Sequence, residues 1–320
     1  MAAPVKQVEA LAARIAPLTL PEGGWSSAAR KDALARLTAM GLPGRRDEYW
    51  RFTRPDGLNA AAVEPAPSDG RVDAVPVFSG VDRLRIVFVD GVFSPADSDP
   101  LELAGIEIER LAEARADIHW AREIYGVLEA RGQTPVARPF AALNTAFATD
   151  GVLIRVTGKA ARPVNLVYRY SGATSDSILH HVIKLEAGAD LTLLENGPAA
   201  ARFNKVLEVE VGEEAAFHHI RTQGRDHARQ AVTHIFARLG AAATFKSFTL
   251  TVNGKLTRNE AVVEFAGNDG VAHLAGAALG DGAKNPFHHD DTVFVTHDAL
   301  RCESRQVFKK VLKNGAVGTF

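Results

Sequence analysis

From residue 151 onward the apolar residues recur with a period of two, and this constrains the chain more than any other feature. Leu207, Val209 and Val211 alternate with Val206, Glu208 and Glu210; Phe248, Leu250 and Val252 alternate with Ser247, Thr249 and Thr251; Ala261, Val263 and Phe265 alternate with Val262 and Glu264. Successive side chains of a strand point to opposite faces, so these segments read as half-buried strands. Glycines at 158, 172, 188, 197, 212, 224, 240, 254 and 267 leave room between them for one or two short strands and a turn. No fixed-length motif recurs. The spacing fits an antiparallel sandwich or barrel, and equally a solenoid whose strands stack on neighbouring coils.

The first part of the chain is built differently. Twelve of the fifteen prolines and all three tryptophans (Trp25, Trp50, Trp120) precede residue 150, whereas ten of the eleven histidines lie between His180 and His297. The layout reads as two regions: 1–150, helical with a short strand pair, and 151–320, the β core. Val8, Leu11 and Ile15 recur at helical spacing before Pro17. Ser26 or Ser27 can cap a second helix carrying Leu34 and Leu37 and ending at Gly41. Asp117 can cap a third, with Ile118, Ala121, Ile124, Tyr125 and Leu128 on its apolar face and Gly132 at its end. A further helix covers Phe140 to Phe147, residues 55 to 80 read as a loop, and Leu84 to Val89 reads as a strand turning at Asp90-Gly91.

Charge excludes several functions. With 37 Lys+Arg against 38 Asp+Glu there is no cationic surplus for a dedicated nucleic-acid or anionic-membrane binder. One cysteine makes no internal disulfide and no four-cysteine metal site. No run of about 18 apolar residues suggests a membrane span, and the opening MAAPVKQVEALAARIAPLTL is charged and amphipathic. The chain is expected to be soluble and cytoplasmic. Gly254-Lys255 is followed by Leu256 where a phosphate-binding loop needs Ser or Thr, and Gly280-x-Gly282 lacks its third glycine at Asn285.

Histidines are paired at His180-His181, His218-His219 and His288-His289. Neighbours on a strand face opposite ways, so no pair chelates one metal; one imidazole of each is expected in solvent and the other packed with a hydrogen bond. The densest polar cluster is His288, His289, Asp290 and Asp291, followed by His297, Arg301 and Cys302. These residue types bind cations or move protons near neutral pH; the structural alternative is a loop after Pro286 leading into a strand. Cys302 could act as nucleophile, sulfur acceptor or cluster ligand, or pack as a small apolar residue in a strand.

Several segments resemble a known family. Pro43-Gly44-Arg45-Arg46-Asp47-Glu48-Tyr49-Trp50-Arg51-Phe52-Thr53, the helix Phe140 through Gly151, Phe203-Asn204 with Gln223, and the stretch from His297 through Ser304-Arg305-Gln306 to Leu312 are similar to blocks of the SufB/SufD family. The Glu-x-Trp segment places the resemblance on the SufD side. It implies a right-handed parallel β-helix preceded by a helical N-terminal region, which selects the solenoid. It also implies a non-catalytic scaffold of the SUF iron–sulfur assembly system, with a SufB-like paralogue and a SufC-like ATPase as partners. No cofactor would be bound by this chain alone; a transient iron–sulfur cluster and a flavin would belong to the full complex. The family continues past Phe320 into further β-helix, a Cys-x-His-Gly segment and a helical tail that docks the ATPase. That docking region is therefore expected to be missing here, and the last coil to pair or oligomerise through its edge. Against this stands a β-helix enzyme acting on carbohydrate through Asp290, Asp291 and His297, with Arg301 beside them, since paired carboxylates suit glycosidic chemistry.

Overall fold

The structure, a computed structural model, describes residues 5–44, 46–67, 77–114, 116–224, 228–283 and 285–320. Arg45 and residues 68–76 thus lie outside the described residues, and the stretch 55–80, expected as a loop, opens instead with a helical turn, Asp56–Asn59. Strands follow one another from residue 84 onward: β1 (Leu84–Val89), β2 (Val92–Phe93), β3 (Ile106–Arg110), β4 (Val152–Val156), β5 (Val164–Arg169), β6 (Asp176–Leu185), β7 (Asp190–Gly197) and β8 (Arg202–Val211). They continue as β9 (Ala216–Gly224), β10 (Gln230–Leu239), β11 (Thr244–Val252), β12 (Leu256–Phe265), β13 (Val271–Asp281), β14 (His288–His297), β15 (Glu303–Lys313) and β16 (Val317–Thr319).

The odd-numbered strands β15-β13-β11-β9-β7-β5-β1, ending in β2, form one sheet, sheet A; the even-numbered β16-β14-β12-β10-β8-β6-β4, ending in β3, form the other, sheet B. From β4 onward each strand pairs in parallel with the strand two ahead of it, and among the described residues the antiparallel pairing, β1–β2, β3–β4 and a single bridge between Leu103 and Ile106, is confined to the first rung. Parallel pairing demands a long crossover. Here the crossover is the strand of the opposite sheet, so the chain coils as a parallel β-solenoid of about 6 turns. A sandwich or barrel of antiparallel strands is excluded.

Inward side chains from both sheets fill the lumen: Leu207, Val209 and Val211 of β8, Phe217 of β9, Phe245 of β11 and Val263 and Phe265 of β12 are all buried in one cluster. Phe217 and Phe245 stack rung upon rung, ring centroids 5.6 Å apart. One corner repeats a left-handed residue in each coil: Gly188, Glu214, Ala242, Asp269 and Arg301 have φ of 71°, 57°, 54°, 64° and 56°. They are knitted coil to coil, Glu214 N–H donating to Ala241 O, Ala242 N–H to Asn268 O and Asp269 N–H to Leu300 O. At the other corner Gly224 has φ 101°, and a Cβ there would lie 1.8 Å from Val252 O.

The N-terminal region lies on the outer face of sheet B. Its helices are α1 (Val5–Ile15), α2 (Ser27–Met40), α3 (Asp56–Asn59), α4 (Val127–Arg131) and α5 (Pro139–Phe147). Leu11, Trp25, Leu37, Trp50, Tyr125 and Phe140 pack there against Ile178, Val182, Val206, Val232 and Phe236 of the sheet. Three expectations change as a result. β8 and β12 are buried on both faces, because this layer covers their outward residues; β11, with exposed Lys246 and Phe248 on its outer side, is the half-buried kind. The helix expected from Asp117 is broken into a 3-10 turn, Trp120–Glu123, capped by His119, and α4, because Gly126 between them is left-handed at φ 71°. Ile118, assigned to its apolar face, is 90% exposed. Ser26 precedes α2 without a side-chain capping bond.

Candidate functional site

Strand alternation sends each histidine pair to opposite faces. His181, His219 and His289 enter the lumen. His180, His218 and His288 point outward: His180 is wholly buried beneath the N-terminal layer, its Nε2 donating to Glu208 at 2.8 Å, while His218 and His288 keep partial exposure, His288 Nε2 sitting 2.8 Å from the Thr53 hydroxyl. The expectation of one solvent-facing imidazole per pair therefore fails at His180, because the first part of the chain covers that part of sheet B.

Inside the lumen the polar residues form two linked sets. In the first, Glu195 is the hub: Lys205 Nζ donates to both of its oxygens, the Tyr168 hydroxyl donates to it at 2.9 Å, and His219 Nε2 lies 2.8 Å away. His181 Nε2 joins through Tyr168 at 3.0 Å. In the second, Arg221 donates to Thr249 and Thr233; Thr233 donates to Asn259, Asn259 to Gln223, and Thr251 to Gln223. His289 follows, 3.1 Å from the Thr251 hydroxyl and 3.3 Å from Asp291, which Lys310 meets at 3.0 Å. Burial alone would raise the Glu195 carboxyl, but Lys205, His219 and Arg221 outweigh it and hold it well below the ordinary range. Burial pushes the Lys205 ammonium down to about 8 against the pull of Glu195. Burial, then the charge of Lys205, holds His181 down to about 3, and His219 is lowered mainly by burial. Beside these groups lie cavities of ≈ 10 Å³ (Tyr168, Glu195, Lys205, Arg221) and ≈ 30 Å³ (Arg221, Ser247, Asn259, Asp291). Each has room for a water molecule or two.

A second charged layer joins sheet B to its cover. Arg258 donates to Glu260 at 2.8 Å, to Asp290 and to Tyr49 O, and its guanidinium lies 4.1 Å from the centre of the Trp50 ring. Arg138 donates to Glu260 at 2.9 Å, and Thr53 donates to Asp290. Burial would raise Glu260, yet Arg258, His234 and Arg138 bring it down to about 2. Glu208 accepts the backbone N–H groups of Gly126 and Glu129 at 2.7 and 2.8 Å. Asn204 donates to Phe140 O at 2.8 Å, while Asn144 of α5 donates to Leu179 O. The Glu48-Tyr49-Trp50 turn and Thr53 thus serve as a clamp, a role that sequence alone had not assigned.

The cluster singled out in sequence is divided by this geometry. Asp290 faces the cover and Asp291 the lumen, so they do not share a site. His297 lies near the end of β14, its Nε2 2.9 Å from Ser304 Oγ and its ring against Phe265. Arg301 pairs with Asp269 at 2.6 Å. The carbohydrate-cleaving arrangement of Asp290, Asp291 and His297 is not assembled. Cys302 occupies the corner before β15 rather than a strand, half-buried, its Sγ 3.4 Å from Gly267 O and packed against the core. Among the described residues no group of three or more His, Cys, Asp or Glu could hold a metal ion. No helix among them is long and apolar enough to cross a membrane.

Fold and site together define a parallel β-solenoid platform: a coil stiffened by charge locked in its lumen, roofed on one sheet by its own N-terminal region. Comparison with known proteins narrows this. Residues 168–320 match the family model "SUF system FeS cluster assembly, SufBD core domain". The chain is 24% identical to the iron–sulfur cluster assembly protein SufD of Escherichia coli over 93% of its own length and 69% of that protein's. It is 26% identical to an iron–sulfur cluster assembly SufBD family protein of Mycobacterium leprae, covering 94% of this chain and 68% of that one. Similarity to the chloroplastic protein ABCI7 of Arabidopsis thaliana is 23% over 77% of this chain and 54% of that one. Over residues 168–320 the chain is thus similar to the SufBD core domain.

Proposed function

We propose that the chain is a non-catalytic scaffold subunit of an iron–sulfur cluster assembly complex, pairing with a SufB-like paralogue and driven by a SufC-like ATPase. The observation that carries this reading is the SufBD core domain match lying on a solenoid whose polar groups are spent on one another. Glu195 and Lys205 neutralise each other, as do Glu260 and Asp290 with Arg138 and Arg258, so the buried charges hold the coil rigid and leave little free to turn over a substrate. In this reading the cluster is cargo held between subunits, nucleotide hydrolysis is the partner's, and the coil transmits the resulting movement as a stiff body.

The test is co-expression with the SufB-like and SufC-like proteins of the same organism. A complex that co-purifies and raises the ATPase rate above that of the isolated ATPase is the expected result. Failure to co-purify with the SufB-like protein would end the proposal. Within the complex, Cys302→Ala is expected to leave cluster transfer to an acceptor apo-protein within about twofold of wild type, because the thiol meets only backbone carbonyls and core side chains. Loss of transfer with an unchanged melting curve would make the thiol a ligand.

A further inference from the structure

Sheet B is roofed; the outer face of sheet A between β9 and β15 is not. The parallel register stacks the outward residues of this face into straight rows running from rung to rung. One row is His218, Lys246, His273 and Arg305. The next, two residues further along each strand, is Ile220, Phe248, Ala275 and Val307. Ile220 is 39% exposed, Phe248 41% and Val307 37%. A third apolar pair, Leu279 and Val311, lies beyond at 43% and 55%. The two acidic residues near the basic row, Asp190 and Glu303, stand at the first and last rungs of the row on its other side, and Glu303 is occupied by His273 at 2.9 Å. Lys246 and Arg305 have no carboxylate partner among the described residues.

We propose that this face docks an acidic amphipathic helix of a partner protein, laid across the rungs so that its apolar stripe covers the Ile220–Phe248–Val307 row and its carboxylates meet Lys246 and Arg305. The dimensions agree. Lys246 and Arg305 stand two rungs apart, ~9.6 Å, and two helical turns span ~10.8 Å, so glutamates two turns apart fall on these two residues. The rows are separated by ~6.6 Å along the strands, which a helix about 10 Å wide spans. An added strand is unsuited to this face, because the backbone groups of β9, β11 and β13 are already paired on both sides. A second copy of the chain is also a poor fit. Face to face, two copies would set basic row against basic row or bury one against apolar side chains. The inference does not rest on the subunit pairing proposed above and is tested separately from it.

The test uses the 320-residue chain and a stapled helical peptide with leucines spaced three and four apart and glutamates flanking them on one side, read by calorimetric titration. Wild type is expected to bind it. The double variant Lys246→Glu with Arg305→Glu, both exposed and so neutral to folding, is expected to bind about tenfold more weakly, the loss of two ion pairs in a partly desolvated contact. A peptide with lysine replacing glutamate should then prefer the double variant, and Phe248→Ala should weaken both. Equal binding of the acidic peptide by wild type and double variant would overturn the proposal, as would no binding at all. Two other results would also overturn it: sedimentation showing that Phe248→Ser dissolves a dimer of this chain, or Lys246-dependent capture on phosphatidylserine vesicles.

Discussion

His181 and His234 are held neutral by burial, at about 3 and about 4 against an ordinary 6.5. For a base whose folded pKa is depressed, the unfolded chain takes up protons first. The stability is therefore intact above pH 6.5 and drains away as pH falls through 6.5 toward those values. At pH 5 each costs about 2 kcal/mol relative to pH 7. Glu260, at about 2 in place of 4.5, adds its loss only below pH 4.5. Urea denaturation at pH 7 and pH 5 should thus differ by about 4 kcal/mol from these two imidazoles alone; a difference under about 1 kcal/mol would mean that water reaches the rings. Glu195→Gln is expected to cost about 3 kcal/mol or more, since it strands the Lys205 ammonium in the lumen. That adjacent histidines diverge was legible from the strand period. That the outward His180 ends up dry was not, because it depends on residues 5–44, 46–67 and 116–147 folding back over sheet B, a long-range event with no local signal.

At the scale of elements, the strands were readable wherever one face stays wet, as in β11. Their pairing partners were not: alternation has the same period in parallel and antiparallel sheets, and only the resemblance to the SufB/SufD family chose the solenoid. The failed helix after Asp117 has a local cause. Its apolar spacing runs across Gly126, whose left-handed backbone splits it, and Tyr125 is turned inward so that its hydroxyl donates to Thr145 O at 2.7 Å. Turns between coils are equally specific. Gly224→Ala would place a methyl against Val252 O at a φ that alanine avoids, and should cost about 2 kcal/mol or more, read as a lowered denaturation midpoint. Gly172→Ala, with nothing within 4 Å of the added methyl and no left-handed angle, should change stability by less than about 0.5 kcal/mol.

A solenoid on its own melts rung by rung, because each coil touches only its neighbours. This one is cross-braced. The N-terminal layer grips β8 through Glu208, β12 through Glu260 and β14 through Asp290, so loosening any coil disturbs the same cover. Wild type should unfold in a single transition by calorimetry and by hydrogen exchange across β6 to β14. Arg258→Ala removes the link among Trp50, Glu260 and Asp290 and should separate the melting of the cover from that of the coil. If the variant still melts in one step, the brace contributes nothing to cooperativity.

The left-handed corner shared by Gly188, Glu214, Ala242, Asp269 and Arg301 has a further consequence. Five successive coils meet the same backbone demand with a glycine, an alanine, two acids and an arginine, since the carbonyl-to-amide link to the next coil runs through backbone atoms. Drift at that edge is therefore free so long as a dihedral angle is kept. Relatives can diverge to a quarter identity while every storey of the tower stays at the same height.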